Sequence, residues 1–87
     1  MIKAWTDEAW EDFEHWMKED RKTLKRILQL LKDIDRNGYD GIGKPERLTG
    51  ELSKYWSRRI DHCNRIVYCI EEDIIKIVQC GSHYRDK

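Results

Sequence analysis

The chain has 87 residues, 39% apolar and 39% charged, with one proline and three cysteines; this composition fits one small soluble domain over residues 1–87 and excludes a multidomain or fibrous chain. Its longest apolar run, Ile66 to Ile70, is five residues, far below the roughly 20 a membrane-spanning helix needs. Seventeen basic and seventeen acidic side chains cancel, which taken alone argues against a nucleic-acid partner.

Ile2 to Trp5 is β-prone and ends at Thr6, followed by Asp7 and Glu8: a strand, then a helix N-cap with acids where the helix dipole favours them. The start of the chain lacks the basic and apolar regions of a secretory signal, so a cytoplasmic address is expected. Ala9, Phe13, Trp16 and Met17 predict an amphipathic helix to about Glu19. Leu24, Ile27, Leu28, Leu31 and Ile34 predict a second, with Lys22, Lys25, Arg26 and Lys32 outside its apolar stripe. The short link at residues 19–21 makes the two an antiparallel pair.

Asn37-Gly38 stops the second helix, and a glycine-containing loop runs to Pro45 without the pattern of a phosphate-binding P-loop. Three β-prone stretches follow at 55–60, 65–70 and 74–80, separated by breaks of hairpin length. The whole reads as an α+β fold, an N-terminal strand and two-helix hairpin packed on one face of a mainly antiparallel sheet. Cys63, Cys69 and Cys80 form neither an even framework nor a zinc spacing and are read as reduced thiols, with no metal site. Trp5, Trp10 and Trp16 are read as core or interface residues, and Trp56, beside Arg58 and Arg59, as a candidate for base stacking.

Resolved by segment, the charge is not balanced. Residues 1–20 carry net −5, residues 21–35 net +3 and residues 44–65 net +3. An acidic first helix therefore masks two basic segments, and a local positive field steers anions whatever the total.

Four motifs in register carry a family likeness: Gly-Ile-Gly-Lys-Pro-Glu at 41–46, Trp-Ser-Arg-Arg-Ile at 56–60, Arg-Ile-Val-Tyr at 65–68, and His83-Tyr84 near the end. Over essentially its whole length the chain resembles the YoeB group of the RelE-like toxins of bacterial type II toxin–antitoxin pairs. The resemblance implies a microbial-ribonuclease-like fold and a ribosome-dependent endoribonuclease that cuts mRNA in the decoding site without a cofactor. It also implies neutralisation by a YefM-like antitoxin, contact with operator DNA only through the antitoxin complex, and a possible homodimer.

Metal-independent RNA cleavage requires a base for the 2′-OH proton, an acid for the leaving 5′-oxygen, and cations for the charged phosphorane. The likeness assigns these to Glu46, His83 and Arg65, with Arg59 as a second phosphate contact and Tyr84 as a positioning or stacking group; Lys44 is taken as a further substrate-binding residue. Lys22, Lys25, Arg26 and Lys32 are the proposed grip on ribosomal RNA phosphates. From the residues alone, Glu46 reads as a solvated loop acid, and Arg65 as a strand-start cation able to pair with Asp61 or Glu51. Arg58 and Arg59 must point to opposite faces of a strand, and the sequence does not choose between them. The chain departs from the family at Thr49, where a lysine is usual, so that role could shift to Arg47 or Lys44; at Asn64, on the hairpin tip; and in Arg85-Asp86-Lys87, which extend the tail. Two other readings stand beside the nuclease: a ParE-like toxin that binds DNA gyrase, and a non-catalytic regulator acting with its antitoxin on operator DNA.

Overall fold

The computed structural model describes residues 1–82. Strand β1 (Ile2–Trp5) leads through Thr6 into helix α1 (Asp7–Glu19), which is followed by α2 (Arg21–Asn37). Strands β2 (Glu46–Arg47), β3 (Trp56–Arg59), β4 (Arg65–Glu71) and β5 (Ile74–Gly81) complete a five-stranded sheet of order β1-β5-β4-β3-β2. Only β1 runs parallel to its neighbour, β5; the other pairings are antiparallel. Among the described residues no helix is long and apolar enough to cross a membrane.

Side-chain oxygens set the helix starts. Thr6 Oγ1 accepts from the Ala9 N–H at 3.1 Å. Asp20 alone joins the helices: its N–H closes α1 on the Trp16 carbonyl, while its carboxylate accepts from the N–H and hydroxyl of Thr23 to open α2. These bonds, the Thr23 N–H first, hold the Asp20 carboxyl below its usual range. The apolar stripes of both helices then meet one face of the sheet, where Ala9, Ile27, Leu30 and Ile34 pack with Ile66, Tyr68, Ile75 and Ile77. Full burial of each large aliphatic chain contributes roughly 1.5–3 kcal/mol.

The glycine-containing loop is closed by an arginine. Arg58 is fully buried on the helix side of β3 and pairs with Asp33 of α2. Its guanidinium also donates to the carbonyls of Gly38, Asp40 and Ile42 and to the Tyr68 hydroxyl. Tyr68 passes a hydrogen bond on to the Gly38 carbonyl, and burial raises its phenol pKa. Gly41, at φ +118°, lies so close to the Asp33 carboxylate that a side chain there would collide with it. The glycines thus let the loop wrap a buried ion pair, and this delivers Lys44, Pro45 and Glu46 to the sheet edge.

Trp56 corrects the sequence reading. It stands opposite Tyr68 on the helix side of the sheet and stacks on Tyr39, with ring centroids 4.8 Å apart and planes 18° from parallel. Its ring packs inward, away from the open face. The three cysteines are free, Cys69 and Cys80 buried and Cys63 exposed.

A register slip in the last hairpin shapes the other face. Val67 pairs with Gln79 but Tyr68 pairs with Ile77, which leaves Val78 as an extra residue in β5. Strict alternation would put Gln79 on the core side with Ile75 and Ile77. The bulge instead returns Cys80 to the core and turns both Val78 and Gln79 toward the uncovered face.

Candidate active site

The uncovered face holds a cleft of about 500 Å³. Leu48, Leu52, Tyr55, Val67 and Val78 supply its apolar walls, and Thr49, Ser57, Arg65 and Gln79 its polar lining, with Thr6 and Glu8 on the far side. Strand pairing brings the charged residues to its rim. Glu46 of β2 lies opposite Ser57 of β3, and Arg59 lies opposite Arg65 of β4. Directly opposed residues of antiparallel strands share a face, so all four side chains stand on the side away from the helices.

The Arg65 guanidinium lies 3.6 Å from the Glu46 carboxylate and donates to Ser57 Oγ at 3.3 Å. The Arg65 side chain is 30% exposed and that of Glu46 66%. So long and solvated a pair contributes roughly 0–1 kcal/mol to folding; it leaves the carboxylate open to an incoming hydroxyl and most of the guanidinium donors open to an anion. Arg59 and Arg65 face each other across two strands, and directly opposed like charges repel. An anion between them removes that repulsion.

Arg65 therefore pairs with neither Asp61 nor Glu51. Asp61 accepts instead from the backbone N–H groups of Cys63 and Asn64 and the Asn64 amide, closing the β3–β4 turn. Arg59, not Arg58, serves the open face. Arg47 lies opposite Trp56, turned away from Glu46, and donates to the Ser53 carbonyl at 2.7 Å. Thr49 itself lines the cleft. Lys44 is exposed in left-handed backbone at φ 52°, two residues before Glu46. His83 and Tyr84 lie outside the described residues; the described strand reaches Gly81, the partner of Arg65 in the β4–β5 ladder.

Lys22, Lys25 and Lys32 are exposed on α2, while Arg26 is half-buried and donates to Gln29 Oε1 at 3.0 Å. Helical spacing adds Arg21 and Arg36 to the same outer stripe. This face and the cleft lie on opposite sides of the sheet, so a partner that touches both must enclose the molecule. Sequence reasoning missed Ser57, which shares strand parity with Arg59, and Gln79, which the bulge re-aims.

Comparison with known proteins gives the family. Residues 5–84 match the family model described as YoeB-like toxin of bacterial type II toxin-antitoxin system. The chain belongs to the YoeB-like toxin family. It is 51% identical over 81 residues to Toxin YoeB of Streptomyces coelicolor, covering 93% of this chain and 96% of that one. The YoeB dimer from Staphylococcus aureus superposes with a TM-score of 0.90 at 45% identity, over 97% of this chain and 98% of that one. YoeB in the heterotetrameric YoeB–YefM complex of the same organism gives 0.91, with the same identity and coverage. The α+β architecture expected from the sequence is thus the YoeB fold, and the chain is a toxin of a type II toxin–antitoxin system.

Proposed function

We propose that this toxin is a ribosome-dependent endoribonuclease that cleaves mRNA in the decoding site by attack of the 2′-OH on the adjacent phosphate. The observation that carries the reading is the loose Glu46–Arg65 pair at the rim of the cleft. Glu46 takes the 2′-OH proton, and the bond from the 2′-oxygen to phosphorus forms as the bond to the 5′-oxygen breaks. Arg65 and Arg59 stabilise the charge that builds on the phosphoryl oxygens, and Lys44 adds a positive charge at the entrance. His83 protonates the leaving 5′-oxygen and Tyr84 positions the adjoining base. The last ladder pair, Arg65 with Gly81, supports this assignment because it lies two positions before His83.

Proton transfer by each group is worth about 10²–10⁴-fold. The shallow cleft suits an enzyme whose substrate is oriented by another body, since positioning itself lowers the barrier. Lys22, Lys25, Arg26 and Lys32 bind ribosomal RNA phosphates from the opposite side. A YefM-like antitoxin neutralises the toxin, which contacts operator DNA only through that complex, and self-association as a dimer follows the S. aureus relative. The site of action is the cytoplasm. The test is mRNA cleavage in a translating extract: Glu46→Gln, Arg65→Ala and His83→Gln should each lose about 100-fold or more. Variants that all cut like the parent would overturn the reading.

A further inference from the structure

The floor of the cleft holds a polar group that the phosphate chemistry does not use. Gln79 is 5% exposed, lines the cleft and sits within two residues of Gly81, the ladder partner of Arg65. Its Nε2 donates to the Gly81 carbonyl at 3.0 Å. That bond fixes which end of the amide is which, because the reversed amide would set two carbonyl oxygens against each other. Oε1 has no hydrogen-bond partner among the described residues, yet no side-chain polar atom among them is both buried and unpartnered. Oε1 is therefore an oriented acceptor in contact with the open space of the cleft, beneath the apolar walls of Tyr55, Val67 and Val78.

A mostly apolar cleft with an oriented amide acceptor on its floor, next to a guanidinium, has the chemistry of a nucleobase subsite beside a phosphate site. We infer that Gln79 is a specificity-determining residue that accepts a hydrogen bond from the exocyclic amino group of a base lying in the cleft, an inference that rests on the endoribonuclease reading. Adenine, cytosine and guanine carry such a group. Uracil has a carbonyl in its place, which would face Oε1 as acceptor against acceptor. The bulge at Val78 is what makes this possible, since in an unbroken strand the same side chain would lie in the core.

The test is binding of adenosine, cytidine, guanosine and uridine 3′-monophosphates to the full-length toxin, followed by NMR titration or calorimetry. Uridine 3′-monophosphate should bind about 3–10-fold more weakly than the others, the worth of one hydrogen bond. Gln79→Met keeps length and removes the acceptor, so it should abolish the ranking, weakening the three amino-bearing nucleotides while relieving the opposed acceptors that disfavour uridine. A circular dichroism spectrum and melt like the parent's report that the variant is folded. Equal binding of all four nucleotides by the parent, or a ranking that survives Gln79→Met, would overturn the inference. Because this readout needs no catalysis, it stands apart from the cleavage reading: a parent toxin that ranks the nucleotides but cuts no mRNA would refute the nuclease and keep the subsite.

Discussion

Arg58 and Arg59 are neighbours in sequence with opposite tasks, and replacing each in turn separates stability from function. Arg58 is fully buried, and Arg58→Met would remove one guanidinium from Asp33, from three loop carbonyls and from the Tyr68 hydroxyl at once. Breaking a buried pair from one side costs about 3–5 kcal/mol. Asp33 keeps 17% exposure and regains some water, which places the expected loss near the lower end, about 3 kcal/mol. For a domain of this size each kcal/mol moves Tm by about 4–8 °C, so the variant should melt roughly 12–24 °C below the parent by circular dichroism. Arg59→Ala, on the exposed cleft side, should stay within about 0.5 kcal/mol yet lower mRNA cleavage. An Arg58→Met protein melting within about 2 °C of the parent, or an Arg59→Ala protein destabilised as much as Arg58→Met, would refute the assignment of the two faces.

Two further outcomes follow from the same geometry. The Arg58 hydrogen bond holds the Asp33 carboxyl below its ordinary range against desolvation, helped by the Ile42 N–H and the Asn37 amide. A lowered folded pKa gives stability that is complete above the unfolded value, about 3.9, and is lost as pH falls through the lower folded value. The stability gap between the parent and Asp33→Asn in urea titrations should therefore be widest above about pH 5 and narrow below about pH 4; a gap that widens in acid would contradict it. On the other side of the molecule, the double reversal Lys25→Glu with Lys32→Glu should weaken ribosome binding and make the plot of log affinity against log salt shallower by roughly 1.8, the slope that two neutralised phosphates supply. An unchanged slope would remove α2 from the ribosome contact.

Periodicity and capping residues made the helices legible, and β-prone stretches of aromatic and β-branched residues flanked by short breaks made β1, β3, β4 and β5 legible. β2 was not, because Glu46 and Arg47 are two charged residues with no apolar pattern, made into a strand only by pairing with β3. Strand parity said that Arg58 and Arg59 diverge but not which one enters the core. That choice depends on Asp33, 25 residues away in α2, and on loop carbonyls no local rule connects. The family likeness named Arg59, and the ladder puts its side chain on the face away from the helices. For Trp56, adjacency to basic residues misled, since its face is set by register with Tyr68. Gln79 was invisible for the opposite reason: alternation assigned it to the core, and the bulge that re-aims it arises from a shift between two strands.

The central claim is that the Glu46–Arg65 pair drives 2′-OH attack on ribosome-bound mRNA. Its most direct measurement is the end chemistry of RNA cut by the parent toxin and by Glu46→Gln, with and without ribosomes. Attack by the 2′-OH predicts fragments ending in a 2′,3′-cyclic phosphate, formed by the parent only when ribosomes are present and reduced about 100-fold or more in the variant. Fragments with a free 3′-hydroxyl, or equal cleavage by Glu46→Gln, would contradict it.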